Sequence, residues 1–259
     1  ATGRDAEAAL LAAQAKRTRV AMLDKMYDKE TGMFCDGLCS EISSRTFHSQ
    51  HFPLWLGVTP DDGIAKVVAY LKSQGMRGST YSSYSLIHGL YERGAHIDNG
   101  QTALDLMTQC SNHSWCQMLQ ANATTTWEMW GHFEGTHSHP WSTTPASAIA
   151  AGTMGIRPVI PGWLKWMAKP APGNLTWASI TVPTLHGPIH AQLSTSEAAV
   201  EMRITIPTQT EGLVCLPVRL DMVGHATLEV DGVKHAAGVE HELIRAPGVV
   251  FTRLCSNSL

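Results

Sequence analysis

Apolar residues recur three and four positions apart through the N-terminal half of the chain, the spacing that is typical of amphipathic helices. Short turns such as Asp28-Lys29-Glu30-Thr31-Gly32 separate these stretches. Helices joined by short turns pack as antiparallel hairpins, so the pattern predicts about six helices in a ring or stack. The predicted helices cover residues 6–26, 46–56, 59–74, 79–93, 99–110 and 142–154.

The helix predicted at 59–74 has the clearest start signal. Thr59 is expected to cap it, Pro60 to take the first helical position, and Asp61 and Asp62 to place negative charge in the first turn. Gly75 is expected to end it.

The hydrophobic period changes at Arg157-Pro158-Val159-Ile160-Pro161-Gly162, after which proline and glycine separate short alternating stretches. Residues 201–206 alternate with period two, and Asp231-Gly232 is a hairpin-turn pair. Strands are predicted at 175–182, 189–193, 198–206, 212–220, 226–230 and 249–254. This spacing predicts an antiparallel β-sandwich. We therefore expect a helical domain at 1–158 and a β-sandwich domain at 159–259.

Composition narrows the classes of function. The chain has 259 residues, 44% of them hydrophobic and 16% charged, which is typical of a globular protein with room for two domains. A net charge of -3 gives no basic field, so neither nucleic acid nor an anionic membrane is expected as a partner. No apolar run is long enough to predict a membrane-spanning helix.

Cysteines and glycosylation signals bear on the cellular compartment. The six cysteines fall into local pairs, Cys35 with Cys39, Cys110 with Cys116, and Cys215 with Cys255, although spacing alone does not fix disulfide connectivity. Asn-x-Ser/Thr triplets begin at Asn112, Asn122 and Asn174. Together these features favour a secretory origin. Buried free thiols in a cytosolic protein are the alternative.

The chemistry concentrates in residues 123–141, which contain three of the eight tryptophans together with Glu128, Glu134 and three histidines. A carboxylate between aromatic walls suits a sugar, which has apolar ring faces and polar rims. A metal site built from His132, Glu134, His137 and His139 is a second hypothesis, although this spacing matches no established ligand pattern. A third is a tryptophan-rich plug with no chemical role.

Three motifs resemble glycoside hydrolase family 78, the α-L-rhamnosidases. They are Thr124-Thr125-Thr126-Trp127-Glu128, Ser138-His139-Pro140-Trp141-Ser142-Thr143-Thr144-Pro145-Ala146 and Gly155-Ile156-Arg157-Pro158. Residues 169–178 and 184–189 resemble the start of the C-terminal β-sandwich of that family, and 49–57 and 86–91 resemble helices of its barrel. The resemblance therefore runs over nearly the whole chain.

The resemblance implies an (α/α)6 barrel followed by a β-sandwich, an inverting mechanism, and a substrate with terminal α-L-rhamnose. Glu128 takes the position of the general base of the family, and His139 that of an active-site histidine that binds the sugar or the water. Trp127 and Trp130 flank the base and are expected either in the pocket wall or in the core. His51 and Trp141 are further substrate-binding candidates, with packing as the alternative. No cofactor is implied.

The chain departs from the family in one respect. The acidic motif that carries the general acid of the family, upstream of the base, has no counterpart here, and about six helices make only half of such a barrel. Glu134 lies six residues after Glu128, but the resemblance places no general acid at that position. We therefore expect a chain truncated at its N-terminus, whose partner is the missing N-terminal part of the same protein. A non-catalytic carbohydrate-binding or structural remnant is the alternative.

Overall fold

The computed structural model describes residues 3–131, 135–197 and 199–216, and the backbone of strands at 228–230, 233–235, 244–246 and 249–252. The chain divides into two compact units. The helical unit comprises Ala1–Ile97 and Thr108–Ser142, and the sheet unit comprises Asp98–Met107 and Thr143–Leu259. Among the described residues, no helix combines the length and the apolar character needed to cross a membrane.

Eight α-helices are present in the described part of the chain. They are α1 (Asp5–Lys25), α2 (Phe47–Trp55), α3 (Asp61–Gln74), α4 (Ser83–Gly89), α5 (Ala95–Asp98), α6 (Gln101–Thr108), α7 (Trp115–Gln120) and α8 (Thr144–Ala148). Each of the six predicted helices is found, with shifted ends. The short helices α5 and α7 were not predicted, because four to six residues carry too little periodicity to detect.

Two predicted helices change their winding along their length. Helix α4 continues as a π-helical turn at Leu90–Gly94, and α8 continues as one at Ile149–Thr153. The predicted cap at Thr59 is wrong. Pro60 is the last residue before α3, with an extended backbone, and Thr59 is buried without a hydrogen bond from its hydroxyl. The proline ring fixes the backbone φ of Pro60, so Pro60 rather than Thr59 is the residue that precedes the first turn of α3.

Helix α1 forms without burying a side chain. Its apolar residues Leu10 and Leu11 are exposed, so the expected amphipathic packing is absent from the described structure. An alanine- and leucine-rich sequence has high intrinsic helix propensity, and this propensity accounts for the helix.

The core of the helical unit lies among α2, α3 and α4. Leu54, Val67, Leu71 and Ile87 are fully buried there. Gly89, the last residue of α4, packs against the backbone of α2. A Cβ at Gly89 would lie 3.1 Å from the backbone nitrogen of Trp55, so glycine permits the close approach of these helices.

Twelve strands occur in the described part of the chain. They are β1 (Tyr27–Asp28), β2 (Met33–Phe34), β3 (Ile156–Pro158), β4 (Lys165–Ala168), β5 (Trp177–Val182), β6 (Ile189–Thr195), β7 (Val200–Thr205), β8 (Glu211–Cys215), β9 (Leu228–Val230), β10 (Val233–His235), β11 (Ile244–Ala246) and β12 (Val249–Thr252). Strands β1 and β2 form a small ribbon in the helical unit, and β9 pairs with β10 as the Asp-Gly signal predicted.

Two sheets make the sandwich. One is antiparallel in the order β5-β6-β7, and the other has the order β11-β12-β8-β4-β3. The expectation of antiparallel strands throughout fails in the second sheet, where β8 is parallel to both β4 and β12. The reason is topological. The connection from β4 to β8 contains all three strands of the other sheet, so the chain reaches β8 by a crossover and β8 can lie parallel to β4.

A common core joins the faces of the two sheets. Strand β6 alternates cleanly, with Ile189, Ala191 and Leu193 buried and the residues between them exposed. These side chains pack in one cluster with Ile156 and Trp166 from the other sheet. The residues of β6 alternate because every second side chain faces the core between the two sheets, as expected for a sandwich.

Disulfides close two short loops in the helical unit. Cys35 is bonded to Cys39 and Cys110 to Cys116, as the local pairs suggested. The third suggested pair includes Cys255, which lies outside the described residues.

Gly212→Ala should destabilise the sheet unit by about 1–3 kcal/mol, the usual cost of overpacking a core. Gly212 lies opposite Trp166 in the β4–β8 register, and an added Cβ would overlap the buried indole ring. Denaturant unfolding followed by tryptophan fluorescence measures the change. Ser179→Ala, on the exposed face of β5, is the matched control. Equal stability of the two variants would show that the indole can move aside.

Candidate functional site

Glu128 lies on a segment that hydrogen bonds hold against a second segment of the chain. The Glu128 N–H donates to the Thr136 carbonyl at 2.9 Å, and the His139 N–H donates to the Thr126 carbonyl at 2.8 Å. The hydroxyl of Thr126 donates back to the His139 carbonyl at 2.7 Å, and that of Thr125 to the carbonyl of residue 137. The threonine run therefore ties 125–128 to 136–139, and we call this pair of segments the clasp.

Within the clasp, the Glu128 carboxylate is held by one neighbouring residue. Its Oε2 accepts the Thr136 backbone N–H at 3.0 Å and the Thr136 hydroxyl at 3.2 Å. His139 Nδ1 lies 3.9 Å from the same oxygen. The backbone N–H, then the hydroxyl, then the His139 charge lower the pKa of Glu128 below its ordinary value. The side chain stays about one-third exposed to solvent.

Thr136 joins the carboxylate to the imidazole. Its hydroxyl oxygen lies 3.1 Å from His139 Nδ1 as well as within reach of Glu128 Oε2. Gly135, just before it, has a φ of +70°, and a Cβ there would lie 3.0 Å from the Glu128 oxygen. A side chain at this position would be strained and would crowd the carboxylate.

A second contact fixes the backbone of Glu128. The Thr80 hydroxyl, from the segment before α4, donates to the Glu128 carbonyl. The main chain of the glutamate is thus held from one side by Thr136 and from the other by Thr80. Such double anchoring restricts the positions that the carboxylate can take.

Trp127 and Trp130 are placed differently. Trp127 is 2% exposed, and its ring stacks on His137 with centroids 5.1 Å apart. Trp130 is half-buried and donates its indole N–H to the Gly78 carbonyl at 2.8 Å. Its ring meets the edge of Trp115 at 5.2 Å. Trp127 therefore packs inside the unit, while Trp130 borders the clasp.

Trp115 supports the clasp from behind. It lies in α7 beside the Cys110–Cys116 disulfide, and its indole N–H donates to the Ser142 carbonyl at 2.6 Å. The Ser142 hydroxyl in turn donates to the Trp127 carbonyl, next to Glu128. The disulfide loop and α7 are thus connected through Ser142 to the main chain of the residue that precedes Glu128.

Trp141 lies at the surface beside His139. The two rings meet edge to face, with centroids 4.5 Å apart, and the other side of Trp141 contacts Tyr81 at 4.8 Å. Both aromatic residues are mostly exposed. A continuous row of side chains therefore runs from Glu128 through His139 and Trp141 to Tyr81.

His51 occupies a different setting. It is fully buried in α2, with Nδ1 3.2 Å from the Ser85 hydroxyl and Nε2 without a hydrogen bond. Burial, then the neighbouring His48, lowers the pKa of His51 to about 3, so the ring is neutral near pH 7. Its ring contacts are with Phe47, His48 and Phe52, all on α2. None of these contacts belongs to the clasp.

Only two of the four residues suggested for a metal site belong to the described part of the chain. His132 and Glu134 lie outside the described residues, His137 stacks on Trp127, and His139 faces Thr136. Among the described residues, no group of three or more histidines, cysteines or carboxylates could hold a metal ion.

Sequence motifs singled out Glu128, His139 and Trp141, which the structure places in one row, but they did not single out three of the neighbouring residues. Thr80 and Tyr81 are distant in sequence and carry no motif signal. Thr136 lies inside the dense segment, yet its role depends on a turn that the sequence does not specify. The glycine at position 135 is a local signal of a turn, and the structure shows the positive φ that such a residue permits.

Comparison with known proteins matches both halves of the chain to one family. Residues 1–150 match the bacterial alpha-L-rhamnosidase 6 hairpin glycosidase domain, and residues 155–228 match the bacterial alpha-L-rhamnosidase C-terminal domain. A search of curated proteins found no match.

Solved structures of three rhamnosidases share the fold. The family 78 rhamnosidase of Bacillus sp. GL1 is 23% identical, with a TM-score of 0.66 over 98% of this chain and 25% of that one. The α-L-rhamnosidase of Dictyoglumus thermophilum is 22% identical, with a TM-score of 0.64 over 81% and 24%. That of Streptomyces avermitilis, complexed with L-rhamnose, is 20% identical, with a TM-score of 0.57 over 76% and 20%.

The chain thus spans about a quarter or less of the length of these proteins. The six-hairpin model nevertheless matches more than half of the sequence, and its match ends where that of the C-terminal domain begins. The chain belongs to the bacterial α-L-rhamnosidase family.

Proposed function

We propose that this chain carries the general base of an inverting α-L-rhamnosidase, and that Glu128 is that base. The observation that carries the proposal is the Glu128 carboxylate itself, held by Thr136 beside His139 and open to solvent. Family membership supplies the reaction class, hydrolysis of a glycoside with terminal α-L-rhamnose. No cofactor is needed for this chemistry.

A general base must be unprotonated before water attacks. The contacts from Thr136 and His139 lower the pKa of Glu128, so the carboxylate is ionised at neutral pH and free to accept a proton. Oε2 is occupied by Thr136, which leaves Oε1 to face a water molecule. That water would attack the anomeric carbon while Glu128 takes its proton.

His139 is proposed to orient the reacting groups. Its Nδ1 faces the Thr136 hydroxyl and the Glu128 carboxylate, so the ring is held from one side. The other ring nitrogen can then hydrogen bond to a sugar hydroxyl or to the attacking water. We propose that Trp130 borders the sugar pocket, whereas the buried positions of Trp127 and His51 favour packing roles.

Hydrolysis with inversion also needs a carboxylic acid, about 6.5–9.5 Å from the base, to protonate the leaving oxygen. The Glu128 carboxylate cannot serve as that acid while its neighbours stabilise the ionised form. We propose that the acid comes from a part of the protein outside this chain, and that the chain works together with that part.

Glu128→Gln should lower kcat/KM for an aryl α-L-rhamnoside by about 10²- to 10⁴-fold, the usual contribution of a positioned base. The amide keeps the shape of the side chain but cannot accept the proton. Release of the aryl group is measured for the chain alone and for the longest polypeptide that its gene encodes. Glu201→Gln, exposed on β7 in the sheet unit, is the matched control.

Two results would change this assignment. Full activity in Glu128→Gln would exclude the glutamate as base, and activity of the 259 residues alone would place the acid within them, with Glu134 the first residue to test. A folded protein that hydrolyses no glycoside in either form would favour the second candidate, a carbohydrate-binding module. The exposed aromatic ring of Trp141 beside His139 is the observation that favours it.

Thr136→Val should raise the pKa of Glu128, because it removes the hydroxyl that stabilises the ionised carboxylate. The backbone N–H remains, so the pKa should rise only part of the way to its ordinary value. Carboxyl carbon chemical shifts followed against pH report the change in the chain itself. Thr136→Ser keeps the hydroxyl and serves as the control. A pKa unchanged in the valine variant would mean that the backbone contact acts alone.

We also propose that the protein matures in an oxidising compartment. Cys35–Cys39 and Cys110–Cys116 are disulfide-bonded, and such bonds persist mainly in secreted proteins. Asn112, Asn122 and Asn174 are all exposed, as glycosylated asparagines must be.

Cys110→Ser together with Cys116→Ser should lower the free energy of unfolding by about 2 kcal/mol, the chain-entropy value for so short a loop. Fluorescence-detected unfolding in denaturant, with and without a reductant, measures it. In the double serine variant, the reductant should retain only the effect of the remaining disulfides, which include Cys35–Cys39 and the bond of Cys215. A wild-type protein indifferent to reductant would contradict both the disulfides and the proposed compartment.

A further inference from the structure

The structure separates one of the three Asn-x-Ser/Thr triplets from the other two. Each triplet begins with an exposed asparagine, Asn112, Asn122 or Asn174. The acceptor signal also requires the hydroxyl residue two positions later, so exposure of the asparagine alone is not sufficient. The surroundings of the three hydroxyl residues therefore decide which triplets suit modification.

The hydroxyl of the triplet at Asn112 is enclosed. Ser114 is fully buried, and its hydroxyl oxygen accepts the Gln117 N–H at 3.2 Å as the N-cap of α7. The Cys110–Cys116 disulfide closes the loop that contains the whole triplet. A transferase can bind Asn112 and Ser114 together only when this cap and this loop are open.

The triplet at Asn122 lies open at the other end of α7. Asn122 follows the C-cap residue with a left-handed backbone, a φ of +55°, which asparagine tolerates better than most residues. Thr124, the hydroxyl residue of this triplet, is exposed, in contrast to Ser114. Both groups that the signal requires are thus at the surface.

The triplet at Asn174 is open in the same way, in the sheet unit. Asn174 and Thr176 are both exposed, and the Leu175 N–H between them donates to the Pro172 carbonyl at 3.2 Å. The Thr176 carbonyl accepts the Thr195 N–H at 2.9 Å. These contacts hold the main chain and leave the two side chains at the surface.

Each open triplet lies beside an exposed apolar side chain. Leu119, whose carbonyl accepts the Asn122 N–H at 3.0 Å, is 74% exposed. Trp177, directly after Thr176, is 64% exposed. A glycan is bulky and solubilising, so these two positions suit its attachment.

We propose that Asn122 and Asn174 carry N-linked glycans. The cap and the disulfide loop around Ser114 exclude Asn112 from the same modification. The donor is an oligosaccharide carried on a lipid pyrophosphate. The asparagine side-chain nitrogen forms a bond to the anomeric carbon of the first sugar, and the bond from that carbon to the pyrophosphate breaks. The pyrophosphate leaves with the bonding electrons, and the amide gives up one proton. The proposal rests on the proposed oxidising compartment and not on the role of Glu128.

The test directs the full chain into the secretory pathway of a eukaryotic cell by an added signal peptide. The chain is isolated from cells and medium, and its N-linked glycans are removed enzymatically in heavy-oxygen water. Mass spectrometry of its peptides then marks each asparagine that carried a glycan. Asn122 and Asn174 should be modified in most molecules, and Asn112 in few.

Two variants remove one open site at a time. Thr124→Ala should abolish the modification of Asn122 alone, and Thr176→Ala that of Asn174 alone, because each removes the hydroxyl that the signal requires. Each variant keeps its asparagine, so the left-handed turn after α7 is not strained. Thr208→Ala, at an exposed threonine outside any triplet, is the matched control and should leave both glycans in place.

A disulfide variant tests the exclusion of Asn112. Cys110→Ser together with Cys116→Ser frees the loop, so the modification of Asn112 should increase while the two open sites keep theirs. Cys35→Ser together with Cys39→Ser opens a disulfide elsewhere in the helical unit and should leave Asn112 unmodified. This control separates local opening of the loop from general misfolding.

Four outcomes would overturn the proposal. They are an unmodified Asn122 or Asn174, full modification of Asn112 in the wild-type chain, equal modification of Asn112 with and without its own disulfide, and equal release of Asn112 by both disulfide variants. The added signal peptide delivers the chain to the compartment, so none of these outcomes bears on where the natural protein matures. The response of the wild-type protein to reductant decides that question separately.

Discussion

The Thr136 backbone N–H donates to the Glu128 carboxylate, and the candidate site is organised around this contact. A main-chain donor cannot rotate away as a side chain can, so the carboxylate oxygen has a fixed partner. The contact exists because the clasp brings residue 136 back to residue 128. Gly135 permits the turn that aims the N–H, since its positive φ and its missing side chain leave room for the carboxylate.

The rest of the helical unit stabilises this arrangement from outside the clasp. The Thr80 hydroxyl donates a hydrogen bond to the Glu128 carbonyl. The Trp115 indole N–H donates to the Ser142 carbonyl, and the Ser142 hydroxyl donates to the carbonyl of Trp127, which precedes Glu128. Main-chain groups on both sides of the glutamate are therefore satisfied by side chains from other segments. A buried carbonyl without such partners would cost free energy comparable to a lost hydrogen bond, so these contacts stabilise the local fold and the site together.

The sequence predicted the elements better than the contacts between them. Periodicity located six of the eight helices and the alternation of β6, because each of these signals is local. It could not predict that β8 would lie parallel to β4, since a crossover depends on residues far apart. The cap assigned to Thr59 failed for a related reason, because a proline beside it can take over the start of the helix.

The residues of the candidate site were likewise only partly predictable from the sequence. Motifs singled out Glu128 and His139, whereas Thr80, Thr136 and Tyr81 reach their neighbours through tertiary contacts that no motif marks. Trp127 and Trp141 show that residue type alone is not sufficient. Both are tryptophans beside the same carboxylate segment, yet one is buried and the other is open to solvent. Trp127 stacks on His137 inside the unit, whereas Trp141 contacts His139 and Tyr81 at the surface.

The electrostatics of the clasp also limit what a single carboxylate can do. A group that donates a proton at neutral pH needs a raised pKa, which requires burial or a nearby negative charge. Glu128 has the opposite surroundings, with donors at 3.0 and 3.2 Å and partial exposure to water. One carboxyl group cannot at the same time have surroundings that raise its pKa and surroundings that lower it. A hydrolase built on this site must therefore place its acid in separate surroundings, on a residue that the clasp does not hold.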